Sequence, residues 1–166
     1  MKKLQPWLTL AARIILGATL LAAGILKIKH PSEAASSVRV YKLLPVSLAN
    51  ILGYSLPPIE IGLAIFLLVG IWVKRVGAIS GILMVVFIIA VGQAWARKLA
   101  INCGCFGNGG VTADGKVHPL TYLTEIIRDI GLAALAYYLY RYPHGKLSID
   151  KLDKLDKLDK SEEVSE

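Results

Sequence analysis

Cys103 and Cys105 flank Gly104 and are the only thiols in the 166 residues of this chain. Glycine between them lets the backbone fold tightly enough for the two sulfurs to meet. A disulfide between residues i and i+2 closes a very small ring, and departures from ideal geometry make such a bond easier to reduce. As a staple it would stabilise little, because the loop it closes is minimal. Strained, accessible disulfides are the labile or catalytic ones. Three readings follow from the spacing: a redox-active dithiol/disulfide, a two-thiolate site for a linear soft ion such as Cu(I) or Hg(II), or an idle pair that only shapes its loop. A closed zinc site is disfavoured, since it needs four nitrogen or sulfur ligands and His30, His118 and His144 show no ligand spacing. No resident metal is expected. Arg97 and Lys98 lie a few residues upstream, where positive charge would favour a thiolate.

A second group of chemically capable residues sits inside apolar blocks: Arg13, Lys27, Glu60, Arg128 and Asp129. Ionisable groups at membrane depth are costly and generally have a partner or a role. At about 1.5 Å of rise per residue, Glu60 and Arg128 enter from the same side to comparable depth, which predicts an ion pair. Lys27 is the alternative partner for Glu60. Asp129, slightly deeper, would meet Arg13 coming from the opposite side. These pairs either lock helices together or line a ligand pocket. Paired charge and aromatics just beneath the cysteine loop would suit a quinone headgroup, with lipid access for its tail.

The elements that must position these residues are long and apolar. Of the residues, 55% are hydrophobic and 19% charged, with a mean hydropathy of +0.56, whereas soluble domains run about 45–50% apolar and about 25% charged. The apolar residues come in blocks, which excludes disorder, a small disulfide scaffold and an ordinary soluble enzyme domain. A span needs roughly 20 apolar residues, and four are predicted, over about 4–28, 56–73, 76–96 and 120–142. The fold class expected is therefore an all-α integral membrane protein, a bundle of four transmembrane helices. A cleaved signal peptide ending at Ala22-Ala23-Gly24 competes for the first block, but that block is long and Arg13 is out of place in such a segment.

Pro57 and Pro58 are read as first-turn residues of the second span, since they need no helical N–H donor. Lys74-Arg75 is read as a tight hairpin into the third span, where Gly77 and Gly81 give a small-residue face for internal packing or a homo-oligomer contact. His30-Pro31-Ser32-Glu33 starts a short interfacial helix over about 32–44, with Ala34, Val38 and Tyr41 on one face. The cysteine loop spans 98–119. Residues 1–146 form the membrane domain, and 147–166 a charged cytoplasmic tail with Lys-Leu-Asp repeats.

Four spans put both termini and the Lys74-Arg75 hairpin on one side and both long loops on the other. Before the 147–166 tail, basic residues number six on the first side and seven on the second, so they do not orient the bundle. The Lys2-Lys3 start favours a cytoplasmic N-terminus, which leaves the cysteine loop outside the cell membrane, periplasmic or extracellular. Net charge is +7, yet the basic residues are scattered in twos between apolar blocks. That pattern suits lipid headgroups and argues against nucleic acid.

These residues resemble the MauE/DoxX family of redox-associated membrane proteins. Arg13, Leu16-Gly17, Ala23-Gly24 and Lys27 carry the likeness in the first span, followed by Tyr41-Lys42-Leu43-Leu44-Pro45. Pro57 or Pro58, Glu60, Gly62 and Gly70 carry it in the second, Asn102-Cys103-Gly104-Cys105-Phe106-Gly107 in the loop, and Arg128-Asp129 in the fourth. The match covers about Gln5 to Tyr142; the family's usual Asp before the first cysteine is Asn102 here. The resemblance implies a four-helix bundle similar to the DsbB and vitamin K epoxide reductase proteins, which pass electrons from thiols to quinone. MauE-type members are linked to maturation of a disulfide-rich periplasmic dehydrogenase subunit, and DoxX-type members to quinone-coupled sulfur oxidation. The expectation is a membrane thiol–disulfide oxidoreductase with Cys103 and Cys105 as its reacting pair. Arg13, Lys27, Glu60, Arg128 and Asp129 would surround a quinone, and an extracytoplasmic thiol protein, for instance of thioredoxin fold, would be the partner. Unlike the two-pair enzymes this chain has one pair, so the partner supplies the second or exchanges directly. The rivals are a non-enzymatic soft-metal or assembly factor and a small membrane subunit of a quinone-linked complex.

Overall fold

The computed structural model describes residues 5–102, 110–111 and 119–143. Cys103, Cys105, Lys2, Lys3 and the 147–166 tail lie outside the described residues. Five helices occur in the order α1 (Gln5–Lys29), α2 (Pro31–Val40), α3 (Val46–Val69), α4 (Val73–Ala96) and α5 (Pro119–Arg141). Between α4 and α5, two short strands, β1 (Ile101–Asn102) and β2 (Gly110–Val111), pair antiparallel with Ile101 opposite Val111 and Asn102 opposite Gly110. This small ladder is an addition to the expected all-helical architecture.

Helices α1, α3 and α4 are long and apolar enough to cross a membrane. At about 1.5 Å per residue, 24 or 25 residues exceed the roughly 30 Å hydrocarbon core. Helix α5 has 23 residues but carries Glu125, Arg128 and Asp129 in its first half. Burial runs opposite to that of a water-soluble protein. Arg13, Glu60 and Asp129 are at most 1% exposed, while Ile82, Ile89 and Ile127 are 60–65% exposed. Apolar surface spread over every long helix is what a lipid environment accepts and water does not.

The long helices alternate in direction. Thr9 Oγ1 near the start of α1 donates to the Tyr142 carbonyl beyond the end of α5 at 3.2 Å. Lys74 at the start of α4 lies over the Tyr140 ring near the end of α5. At the opposite end, Gln93 Nε2 late in α4 donates to the Tyr41 carbonyl at 3.1 Å, and the Tyr122 hydroxyl early in α5 donates to the Leu99 carbonyl. One core links all four long helices through Leu16, Leu20, Ala64, Leu67, Met84 and Leu139. A second, of Tyr41, Val91, Ala94 and Tyr122, lies at the α2 end. There β2 lies against α2.

Three expectations are corrected. First, α3 begins at Val46, not near residue 56, so Pro57 and Pro58 lie inside it. Interior prolines deprive the Gly53 and Tyr54 carbonyls of their helical donors, a loss membrane helices tolerate where neighbours compensate. The α2 helix packs at this point so closely that a Cβ on Gly53 would lie 2.4 Å from the Ala35 Cα. Second, the helix read over about 32–44 ends earlier, as α2 at Val40, and packs against α3. It buries Ala34, Ala35 and Ser37, Tyr41 beyond it is buried, and Val38 is only partly so.

Third, the α3–α4 turn is Gly70–Trp72, with Lys74 and Arg75 already inside α4. Gly70 takes φ +81°, a left-handed conformation that ends helices at little cost only for glycine. Its N–H and that of Ile71 both donate to the Phe66 carbonyl, at 2.9 and 3.0 Å. A Cβ at Gly70 would also lie 2.3 Å from Arg13 Nη2. Gly70→Ala is therefore expected to cost more than the roughly 1–2 kcal/mol of left-handed strain alone, read as a lower unfolding midpoint in micelles. An unchanged midpoint would show that the turn relaxes freely. Gly77 and Gly81 face α5: added Cβ atoms would meet Leu139 Cβ at 3.2 Å and Ala136 Cβ at 3.4 Å, so their small size serves internal packing.

Candidate functional site

The elements surrounding the cysteine segment are laid out by the fold. Chain enters it from β1, which ends at Asn102, and leaves it into β2 at Gly110. Arg97, expected to act on the thiols, donates through Nη1 to Gln93 Oε1 at 2.9 Å and to the Tyr41 carbonyl at 3.3 Å. It thereby ties the end of α4 to the turn after α2. Burial, and secondarily the Glu125 carboxylate, push the Tyr41 phenol above its ordinary range.

Lys27, Glu60, Arg128 and Asp129 come together around one cavity, with Phe87 and Met84 of α4 closing it. Lys27 Nζ on α1 bonds Glu60 Oε1 on α3 at 2.5 Å, both side chains buried, and also lies 5.3 Å from the centre of the Phe87 ring. Arg128 engages two carboxylates of its own helix. Its Nε and Nη2 lie 3.1 and 2.9 Å from Asp129 Oδ1, and Nη2 also pairs with Glu125 one turn earlier. The expected Glu60–Arg128 pair is thus replaced by its alternative, Lys27–Glu60. A second span beginning near residue 56 misplaced Glu60, because α3 starts ten residues sooner, at Val46, and puts it mid-helix. Glu125 was missed as a member of the site. Its i,i+3 spacing to Arg128 was the available signal.

Arg13 stands apart from this cluster. Its Nε donates to the Leu67 carbonyl at 2.8 Å and Nη2 to the Leu68 carbonyl at 3.0 Å. The last carbonyls of a helix have no intrahelical donor, and a cation there also complements the helix dipole. Arg13 caps α3 at the end away from α2, which corrects the expected pairing with Asp129.

The shared cavity measures about 20 Å³, room for a water molecule and far below the roughly 300–1,000 Å³ of small-molecule pockets. Its charged groups already engage one another. These residues therefore do not fit a quinone headgroup in this conformation. A larger groove of about 380 Å³ runs between α4 and α5, lined by Gly77, Gly81, Ala136, Tyr137 and Tyr140, but it is apolar and lacks the charged residues.

Buried charges enclosed by helices with outward apolar faces define a multi-pass helical membrane protein. The chain belongs to the MauE family, described as methylamine utilisation protein MauE, whose family model matches residues 5–141. It is 35% identical over 134 residues to the methylamine utilization protein MauE of Methylorubrum extorquens. It is 30% identical, again over 134 residues, to the protein of the same name from Paracoccus denitrificans. Each match covers 80% of this chain and 68% of the relative. No solved structure matches it.

Proposed function

We propose that this chain is a four-span membrane thiol–disulfide oxidoreductase that exchanges disulfides with an extracytoplasmic partner through Cys103 and Cys105. Helix α5 is the fourth span, with Arg128 paired to Glu125 and Asp129 of its own helix. Both termini and the α3–α4 turn lie in the cytoplasm, and the α2 end faces outward. The observation that carries the reading is Cys103-Gly104-Cys105 standing directly after β1, where the chain has just left the membrane-length helix α4. Membership among proteins named for methylamine utilisation supports a partner acting in that process, the disulfide-rich periplasmic subunit that the resemblance implies.

The exchange balances without a further reagent. A partner thiolate attacks one sulfur of the Cys103–Cys105 disulfide, breaking that bond and forming a mixed disulfide. The partner's second thiolate then attacks the mixed disulfide, so the partner leaves oxidised and Cys103 and Cys105 remain as thiols. The reverse sequence reduces the partner. Two electrons and two protons pass between the two pairs in either direction.

Thiol trapping in native membranes tests this. Alkylation should show Cys103 and Cys105 moving together between reduced and oxidised forms when a dithiol or disulfide form of an exported substrate protein is added. A pair that is indifferent to both forms, or that binds Cu(I) stoichiometrically through its thiols, would reject exchange in favour of a metal-binding role.

A further inference from the structure

Among the described residues, two oxygens in the charged cavity have no hydrogen-bond partner: Glu60 Oε2 and Asp129 Oδ2. Both residues are at most 1% exposed, and both line the same water-sized space. Their other oxygens are taken, Glu60 Oε1 by Lys27 and Asp129 Oδ1 by Arg128. Unsatisfied carboxylate oxygens away from water are expensive. The charge count points the same way. Among the described residues facing the cluster, α1 gives Lys27, α3 gives Glu60, and α5 gives Glu125, Arg128 and Asp129. Helix α4 supplies only Phe87 and Met84, and Tyr41 and Tyr122 lie at the Glu125 side. Three carboxyl groups thus face two fixed cations.

From this we infer that the cavity is a binding site for one water molecule and one exchangeable proton, held between Glu60 and Asp129. The water fits the volume, accepts from the carboxyl that holds the proton and donates to the other orphan oxygen. The proton, drawn from the aqueous phase, brings three carboxyl groups and two cations to neutrality in a cluster whose Glu60 and Asp129 are almost wholly enclosed. Ionisable groups at membrane depth commonly serve as such proton-holding sites. The inference is independent of the cysteine chemistry.

Infrared difference spectroscopy on the full chain in lipid nanodiscs tests it. At neutral pH, exposed Asp and Glu side chains are ionised, so a carbonyl stretch of a protonated carboxyl must come from a shielded group. One such band is expected, moving to lower frequency in D2O and on carboxyl-13C labelling of Asp or Glu in the unsubstituted protein. Glu60→Gln and Asp129→Asn should each abolish it, because either substitution removes the excess negative charge. Lys27→Met should raise it to about twice its area, since losing a cation calls for a second proton. Absence of the band in the unsubstituted protein overturns the proposal. So does a band indifferent to all three substitutions, or one erased by Na+ at constant pH, which would assign the space to a metal cation.

Discussion

Glu60→Leu is expected to destabilise the bundle by about 3–5 kcal/mol, the range seen when one member of a buried ion pair is removed. Lys27 Nζ lies 2.5 Å from Glu60 Oε1 with both side chains buried, so the substitution leaves an ammonium enclosed beside Phe87 without its counter-ion. Lys27→Met in turn leaves Glu60 without its cation, so that folding must take up a second proton to neutralise it. The double substitution Lys27→Met with Glu60→Leu should recover most of the loss, because replacing a whole buried pair by apolar groups of similar volume is often neutral or better. Unfolding in micelles, arranged as a double-mutant cycle, measures the coupling. Additive single effects would mean that the pair does not hold α1 to α3. The backbone contact would then carry the join: a Cβ on Gly24 would lie 2.6 Å from Ile61 Cγ1 and 3.0 Å from the Pro57 carbonyl.

Cys103→Ser and Cys105→Ser should each abolish disulfide transfer while leaving insertion and the helical bundle intact. Exchange needs one sulfur to be attacked and the other to leave, and serine does neither. The two variants are not expected to behave alike in one respect. Given the partner in its disulfide form, the variant that retains the entry cysteine should accumulate a mixed disulfide, its thiolate opening the partner's disulfide and releasing one partner thiol, visible as a covalent adduct on a non-reducing gel and lost on reduction. That adduct identifies the entry sulfur. Full transfer activity in both variants would refute the mechanism. Loss of protein from the membrane would show a structural role in place of a chemical one.

Some of this was legible in the residues alone. Apolar runs long enough to span, bounded by Trp7, Trp95 and the Tyr137–Tyr142 cluster, place α1, α4 and α5 to within three residues of where they occur. That agreement arises because a run of apolar residues is a local property of the chain. The participation of Lys27, Glu60, Arg128 and Asp129 in one cluster was legible for the same reason: each is a charge set within a long helix of mostly apolar residues.

Who pairs with whom was not. That depends on how far each helix is shifted along its axis against its neighbours, and no single segment carries the shift. Packing between Gly53 and α2 carries α3 through Pro57 and Pro58, although local preference would start a helix there. With α3 extended, Glu60 moves to mid-helix and meets the flexible Lys27 side chain, while Arg128 turns to carboxylates on its own helix. Arg13 looked like a partner for Asp129 by depth, but the unsatisfied carbonyls of Leu67 and Leu68 exist as acceptors only because Gly70 ends α3 beside it. The sequence by itself determined where the long helices α1, α4 and α5 run and that the chain holds one pair of cysteines. Only the tertiary structure decided the ion pairs, the cap and the water-sized cavity, because each depends on distances between segments remote in the chain.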